Sequence, residues 1–227
     1  MRIHSKILIH WTGGKDIEKA KPPDKPKLYV ERLEDYIQHG LYAKRSSESS
    51  LRKMKVKNLI RLCFTEIRLS QSKTHAKRYG KLGVGFSRDF ILKKGGRPVI
   101  YVPYQPIKGY CILEESIKSL YKKNKNNPEL KRYAKYILAH VKRMDNGNTE
   151  DYFEEMEWRL VWDESSTTFT KGQNADEYRL KFTGKDIKII IFPNKTTQEL
   201  ALKNDIIKEQ ISRYTPILVN LKDSMNF

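Results

Sequence analysis

The sequence predicts an α+β fold in a single domain over residues 1–227, with a mixed or antiparallel β-sheet and flanking helices. Three observations lead to this prediction. Short runs of β-branched and apolar residues recur along the whole chain, and segments with the 3.6-residue apolar spacing of helices lie between them. Neither an internal repeat nor a linker divides the chain. Apolar residues make up 38% and aromatic residues 11%, which is typical of a folded protein.

The first fifth of the chain predicts a strand, a connector and a helix. The strand covers residues 3–11 and ends at a Thr-Gly-Gly-Lys turn, which places His10 and Thr12 at its carboxyl edge. A proline-rich connector at 21–27 leads into a helix over 28–39, for which Gly40 is the natural C-cap. The serine-rich residues 43–50 are expected to form a flexible loop, which is a candidate lid.

The middle of the chain predicts three strands, over residues 57–67, 82–86 and 98–103. Residues 70–79 form a short polar helix or a loop. Ser87 is expected to N-cap a helix that runs to residue 94 and stops at a Gly-Gly pair. Gly83 and Gly85 lie within the predicted strand over 82–86, where they let the backbone bend or approach another group closely.

The remaining sequence predicts two helices over 113–124 and 128–144, which form an antiparallel hairpin inserted at about residues 111–145. A strand within 151–162 alternates, with Met156, Trp158 and Leu160 on one face and Glu157 and Arg159 on the other. Strands over 177–182 and 187–192, a helix over 196–214 and a strand over 216–221 complete the chain.

The charge of the chain is unusual. Lys and Arg number 45 against 27 Asp and Glu, which gives a net charge of +18 and attracts polyanions such as nucleic acid. Residues 40–98 hold 16 basic residues against Glu48, Glu66 and Asp89, so an anion-facing surface is expected there. The alternative is a set of solvated lysines.

The two cysteines, a start too polar for a signal peptide and the lack of a long apolar run indicate a reduced, cytoplasmic protein that does not cross a membrane.

Two residues are candidates for chemistry. His10, at a strand edge beside a threonine and two glycines, can hydrogen-bond a ribose or phosphate; the alternative is an ordinary strand-end histidine. The full phosphate-binding loop spacing is absent. Glu157, flanked by Trp158 and Arg159, can stabilise a cationic transition state or act as a base; the alternative is an ion pair with Arg159 on a solvent face.

Glu66 is the third candidate, because it is an acid in a basic segment. It can be catalytic, or it can form a structural salt bridge with Arg61 or Arg68. Glu66 and Glu157 together can also hold a metal ion, as in a nuclease. The five histidines do not cluster as metal ligands, and the common hydrolase and metalloprotease signatures are missing.

Several segments, in this order and spacing, resemble the AbiGi abortive phage-resistance family. They are HWTGGK at residue 10, the helix end at 39–41, CFTEIRLS at 63, YGKLGVGFS at 79, RPVIYV at 97 and EMEWRLV at 155. The resemblance covers about residues 5–165 and implies an antitoxin of an abortive-infection system.

The layout is also similar, more distantly, to the ADP-ribosyltransferase fold. This resemblance implies that His10 holds the adenosine-side ribose of NAD, with Thr12 and Gly13 beside it. It implies that Glu157 is the catalytic glutamate, which stabilises the oxocarbenium-like centre as nicotinamide leaves. The other residues expected around the cleft are Phe64, Thr65, Glu66, Tyr79, Phe86, Tyr101 and Arg159. The serine-threonine-serine second motif of that fold is absent here.

The leading expectation is an antiviral enzyme, ADP-ribosyltransferase-like, that uses NAD as cofactor to modify nucleic acid or a protein. The alternative is a non-catalytic antitoxin or binding module of a toxin–antitoxin pair, which binds nucleic acid or an acidic toxin through its basic face. A metal-dependent nuclease built on Glu66 and Glu157 is the third hypothesis.

Overall fold

The computed structural model describes residues 6–14, 16–51, 54–66, 69–102, 112–124, 126–144, 153–162, 168–172 and 177–223. Of residues 44–51, 54–58, 112, 114–115, 118 and 153 it describes the backbone alone. The strands are β1 (Ile7–Thr12), β2 (Leu41–Leu51), β3 (Met54–Thr65), β4 (Leu82–Ser87), β5 (Arg97–Pro98), β6 (Ile100–Val102), β7 (Val141–Arg143), β8 (Glu157–Val161), β9 (Phe169–Lys171), β10 (Glu177–Leu180), β11 (Ile187–Phe192) and β12 (Ile217–Asn220). The helices are α1 (Lys25–His39), α2 (Ser72–Tyr79), α3 (Arg88–Lys93), α4 (Ile112–Lys123), α5 (Pro128–Ala139), α6 (Lys195–Lys203) and α7 (Asp205–Tyr214).

A 10-stranded mixed sheet forms the centre of the described fold, so the predicted α+β class is confirmed. Eight strands follow the order β12-β11-β4-β1-β3-β2-β10-β9, and β8 pairs with both β3 and β5. The pair β11–β12 is parallel, whereas β4 runs antiparallel to both β1 and β11. Consequently β1, β11 and β12 point the same way and end at the same edge of the sheet. Strands β6 and β7 form a separate parallel pair.

Both faces of the sheet are covered. One face packs against α1, α6 and α7 in the largest apolar cluster, which includes Leu8, Phe64 and Trp158. The opposite face packs against α2 near Ile9 and against the α4–α5 hairpin near Val161. Side chains alternate along a strand, so double coverage buries both neighbouring positions of β1, with Leu8 at 0% and Ile9 at 2% exposure.

Several predicted elements are confirmed, together with the sequence features that predicted them. Helix α1 ends at Gly40, which has φ 93° and donates its N–H to the carbonyl of Tyr36. The Ser87 side chain accepts a hydrogen bond from the backbone N–H of Phe90 and so caps α3. Strand β11 covers residues 187–192, as the apolar run predicts. These elements depend on local sequence, which explains why pattern alone locates them.

Other predicted elements differ from the structure. The prediction of a loop at 43–50 is wrong, because β2 runs through it and pairs with β3 and β10. Ladder hydrogen bonds to two neighbours outweigh the weak strand propensity of serine. The helix predicted over 128–144 ends at residue 139, and β7 begins at Val141. The helix predicted over 196–214 breaks at Asn204, whose side chain caps α7 by accepting from the N–H of Ile207.

No helix within the described part of the chain is long and apolar enough to cross a membrane. The organisation as one domain with an inserted hairpin stays a prediction.

Candidate functional site

His10 and Glu157 project from opposite faces of the sheet. Thr65 pairs with Ile9 of β1 on one side and with Glu157 of β8 on the other. Directly paired residues on neighbouring strands project to the same face, so Ile9, Thr65 and Glu157 share one face. His10 follows Ile9 and projects to the other face. The structure therefore does not bring these two predicted catalytic residues into one cleft.

His10 lies within the apolar layer between the sheet and α1. Its Nδ1 donates to the carbonyl oxygen of Cys63 at 2.9 Å, and its ring centroid lies 6.0 Å from that of Tyr36 and 5.7 Å from that of Phe64. Burial lowers the pKa of His10 below 6.5, which favours the neutral imidazole. This environment matches the alternative interpretation, an ordinary strand-end histidine with a satisfied hydrogen bond.

The residues of the turn after β1 also make contacts within the fold. The hydroxyl of Thr12 accepts hydrogen bonds from Arg32 Nη1 at 3.1 Å and from the Tyr36 hydroxyl at 2.9 Å. Gly13 has φ 94°, and a Cβ at this position would lie 2.4 Å from the ring of Tyr29. Glycine at 13 thus lets the turn pack against α1, and both residues predicted to bind NAD hold the end of β1 in place.

Glu157 forms the centre of a buried ionic cluster. Arg159 Nε donates to its Oε1 at 2.7 Å, and Lys142 Nζ donates to its Oε2 at 2.8 Å. Lys142 also contacts Glu155, which accepts hydrogen bonds from Arg78 Nη1 at 2.8 Å and from the Tyr79 hydroxyl. Exposure is 1% for Arg159, 4% for Glu157 and 2% for Glu155. We call these residues, Arg78, Tyr79, Lys142, Glu155, Glu157 and Arg159, the ionic cluster.

Charge within the ionic cluster is nearly balanced, with three cations for two carboxylates. Burial alone would raise the pKa of Glu157, but the charges of Arg159 and then Lys142 outweigh it and hold that pKa far below 4.5. Burial alone would lower the pKa of Lys142, but the two carboxylates hold it above 10.5. Both groups therefore stay ionised at neutral pH. Such a Glu157 is a structural ion-pair partner, buried rather than on the predicted solvent face.

The backbone between the two carboxylates has an unusual conformation. Met156 has φ 41°, a left-handed conformation that non-glycine residues rarely adopt. The Tyr101 hydroxyl accepts a hydrogen bond from the backbone N–H of Glu157 at 2.8 Å, and the Met156 carbonyl accepts from the N–H of Glu66 at 3.2 Å. These bonds hold the turn that leads the chain from Glu155 into β8.

Glu66 lies on the other face of the sheet from Glu157. Its carboxylate accepts a hydrogen bond from Trp158 Nε1 at 2.8 Å and pairs with Arg88. Trp158 faces away from Glu157 on the same strand, so the two carboxylates do not converge. Among the described residues there is no group of three or more His, Cys, Asp or Glu that could hold a metal ion. The structure therefore does not favour the metal-dependent nuclease hypothesis.

The remaining residues predicted for the cleft are also divided between the His10 face and the Glu157 face of the sheet. Phe64 and Phe86 pack edge to face in the core on the His10 side, with ring centroids 6.2 Å apart. Thr65 accepts a hydrogen bond from Trp11 Nε1 at 3.0 Å on the opposite side, where Tyr79 belongs to the ionic cluster and Tyr101 contacts it through the backbone of Glu157. The expected NAD pocket is thus divided by the sheet itself.

Sequence reasoning missed three members of the ionic cluster, Arg78, Lys142 and Glu155. Lys142 was expected inside a helix, whereas it lies on the short strand β7, and Glu155 precedes the strand whose alternation was recognised. The available signal was the nearness of an acid to Glu157, but strand alternation does not apply to this pair, because Glu155 ends a 3₁₀ turn and Met156 has φ 41°.

A surface on the α4–α5 hairpin was missed as well. Five of its apolar side chains are 40–48% exposed, and we call them the hairpin surface: Leu113, Leu120, Leu130, Tyr133 and Ile137. Residues 130, 133 and 137 are spaced by three and four, so they share one side of α5, as 113 and 120 do on α4. Meanwhile Ile117 and Leu138 are buried against the sheet. By the same spacing Ile117 lies on the same side of α4 as Leu113 and Leu120, so the exposed side chains of α4 extend the apolar stripe that packs on the sheet.

The charge around the hairpin surface is positive. Residues 112–139 contain seven Lys or Arg and three Glu. The carboxylate of Glu129 accepts a hydrogen bond from the Tyr133 hydroxyl at 2.6 Å, which orients that exposed ring. An apolar patch surrounded by positive charge suits a partner that is apolar and acidic.

Comparison with known proteins gives a match to one family model over residues 39–193, described as "Putative abortive phage resistance protein AbiGi, antitoxin". This segment contains the ionic cluster and the whole α4–α5 hairpin, and it leaves out β1 with His10. No curated protein and no solved structure matches the chain. The resemblance to the ADP-ribosyltransferase fold is therefore not shown by these comparisons.

Proposed function

The chain belongs to the AbiGi family of abortive phage resistance proteins, and we propose that it is a non-catalytic antitoxin that binds its cognate toxin through the α4–α5 hairpin. The family description implies phage defence and a toxin partner. Of the hypotheses raised by the sequence, this one combines the family assignment with the surface that the fold presents.

The observation that carries the proposal is the exposure of the hairpin surface. A single exposed leucine is ordinary, but five large apolar side chains exposed on two packed helices are a concentration typical of interaction sites. Tyr133 is an aromatic residue of the kind enriched at the centre of protein interfaces. Burial of these side chains by a partner removes apolar surface from water, which favours the complex.

The charge around the hairpin specifies the chemistry of the toxin segment that binds there. Lys122, Lys123 and Lys131 are exposed beside the apolar residues. A toxin segment that combines apolar side chains with Asp or Glu matches this surface in both hydrophobicity and charge, and opposite charges accelerate the encounter of the two proteins. We therefore propose an acidic, apolar segment of the toxin as the occupant.

Two features support a non-catalytic role over ADP-ribosyl transfer. His10 and Glu157 project from opposite faces of the sheet, and both carboxylate oxygens of Glu157 accept hydrogen bonds from Arg159 or Lys142. A catalytic glutamate needs access to the reacting centre of its substrate. NAD binding and transfer of ADP-ribose stay predictions, which this arrangement disfavours.

Binding of nucleic acid by the basic segment 40–98 also stays a prediction. Three of its cations are engaged within the described fold, since Arg78 pairs with Glu155, Lys81 with Glu18 and Arg88 with Glu66. Side chains of the most basic part, residues 44–58, lie outside the described residues. The family assignment favours a protein partner as the first candidate.

Hydrogen–deuterium exchange of the protein with and without its cognate toxin tests the proposal. We expect slower amide exchange in α4 and α5 when the toxin is bound, because burial of the hairpin surface suppresses local opening. Helix α7, on the opposite side of the sheet, is the internal control and should be unaffected. Slower exchange confined to segments outside α4 and α5, or no complex at all, would contradict the proposal.

A further inference from the structure

A cavity of about 330 Å³ lies at one edge of the sheet, away from the α4–α5 hairpin. Its walls come from the start of α1, from α2, from the turn before β4 and from the start of α6. The volume falls within the range of about 300–1,000 Å³ that is usual for small-molecule sites. The cavity is separate from the ionic cluster and from the hairpin surface.

The position of the cavity in the fold is one that favours ligands. Strands β1, β11 and β12 point the same way, so their carboxyl ends meet at this edge. Pro193 follows β11 and Leu221 follows β12, and both line the cavity. Only β11 and β12 are adjacent parallel strands, and the crevice outside the carboxyl ends of such strands is a common place for ligands in α/β sheets.

Four lysines and one glutamate line the cavity, which gives it a local charge of about +3 by formal count. The lysines are Lys25, Lys73, Lys81 and Lys222, and the acid is Glu18. Glu18 Oε2 accepts from Lys81 Nζ at 2.8 Å, and its backbone carbonyl accepts from Lys25 Nζ at 2.8 Å. An ammonium group has three donors, so Lys25 and Lys81 are held at the wall with donors left for a ligand.

The Tyr29 hydroxyl strengthens this arrangement. It donates to Glu18 Oε1 at 2.7 Å, which fixes the carboxylate that holds the two lysines. Asn194 and Thr197, at the start of α6, also line the cavity, and the N-terminal end of a helix adds positive potential. Charge from several separate elements thus converges on one concave site.

The rest of the lining is apolar and suits a flat ring. Pro22, Pro26, Pro193 and Leu221 contribute aliphatic surface, whereas Tyr29 is only 2% exposed and its ring packs under the turn at Gly13. The flat face of a nucleobase gains dispersion contacts against proline rings, whereas phosphates bind to lysines as point charges. A ligand that carries both groups matches the two kinds of lining together.

We propose that this cavity is a binding site for a nucleoside diphosphate or triphosphate, with the phosphates at Lys25, Lys73, Lys81 and Lys222 and the base against the rings of Pro22, Pro26 and Pro193. The site is independent of toxin binding at the hairpin, so either proposal can fail without the other. Most of the cavity lies outside residues 39–193, which makes it a feature of this chain rather than of the matched segment.

Calorimetric titration of the full chain with ADP at low ionic strength tests the site. We expect saturable binding that weakens as salt is added, because screening acts on phosphate–lysine contacts. Lys222→Gln and Lys81→Gln should each raise the Kd by about tenfold, the usual effect of losing a hydrogen bond to a charged group. Lys208→Gln, an equal charge change on exposed α7, is the matched control and should leave the Kd unchanged.

Three results would overturn the proposal. The first is no binding of ADP by a folded protein, with folding verified by circular dichroism. The second is an equal effect of Lys208→Gln and Lys222→Gln, which would indicate attraction by net charge alone. The third is tighter binding of a short 5′-phosphorylated single-stranded oligonucleotide than of ADP, which would assign the surface to nucleic acid. Inorganic pyrophosphate should bind more weakly than ADP, because it lacks the base.

Discussion

Arg159 and Glu157 form a hydrogen-bonded ion pair within one strand, with 2.7 Å between Nε and Oε1, and both side chains are almost fully buried. Lys142, from the neighbouring strand pair, completes the coordination of the carboxylate at 2.8 Å. Burial of an ion pair costs desolvation energy, which is offset only if every charge finds partners. The ionic cluster meets this condition, since its carboxylates and cations contact one another.

The first prediction concerns the loss of one charge from this cluster. Glu157→Gln should lower the free energy of unfolding by about 3–5 kcal/mol, because Arg159 and Lys142 remain buried without their anion. Chemical denaturation measures the change. Glu31→Gln is the matched control, because Glu31 pairs with Lys27 at 3.7 Å on the exposed side of α1 and should contribute less than about 1 kcal/mol. Equal effects of the two substitutions would contradict a buried structural role.

The second prediction concerns pH. Burial lowers the pKa of His10, His75 and His140 below 6.5 in the folded protein. The unfolded chain therefore takes up protons that the folded chain does not, and stability is full above about pH 6.5 and declines as the pH falls below it. Glu157 adds a further loss only below its ordinary value of 4.5, because its folded pKa is depressed.

Urea denaturation between about pH 7.5 and pH 5 measures this dependence. The midpoint should fall as the pH falls, and His75→Gln should reduce the slope, because it removes one group that takes up a proton on unfolding. A midpoint that rises towards pH 5 would show that these histidines are charged and stabilised in the folded protein.

The third prediction concerns the turn between α2 and β4. Gly80 has φ 118°, and a Cβ there would lie 2.0 Å from the carbonyl oxygen of Thr12. Gly80→Ala should therefore destabilise the protein by several times more than Gly95→Ala. Gly95 has φ 89° with nothing within 4 Å, so it isolates the cost of the left-handed backbone, about 1–2 kcal/mol. Comparable thermal midpoints for the two variants would argue against the close approach of β1 and this turn.

The fourth prediction concerns NAD. Purified protein incubated with NAD should release no nicotinamide, since the two residues expected to flank the cofactor project to opposite faces of the sheet. Chromatography of the mixture measures free nicotinamide. Release that disappears in Glu157→Gln, with the variant still folded, would restore the enzymatic hypothesis.

Local signals in the sequence were sufficient for part of this fold. Gly40 ends α1 and Ser87 caps α3, because the conformations they favour depend only on adjacent backbone. The alternation that separates Trp158 from Glu157 on β8 was also readable from the sequence. In each case the physical cause lies within a few residues of the signal.

The face of the sheet from which each site residue projects was not predictable from local sequence. Whether His10 and Glu157 face each other depends on the register of β1 with β3 and of β3 with β8, and a shift of one residue reverses the answer. These pairings join segments far apart in sequence. The strand β2 was missed for a related reason, because its partners β3 and β10 determine its conformation.

The affinity for the cognate toxin tests the central claim most directly. Leu130→Lys and Ile137→Lys replace exposed leucine and isoleucine of the hairpin surface, and Leu202→Lys, an exposed leucine of α6, is the matched control. We expect each hairpin substitution to cost about 2 kcal/mol, which raises the Kd of the complex roughly thirtyfold. The control should leave the Kd unchanged. Unchanged affinity in both hairpin variants, with their folds intact, would contradict the account.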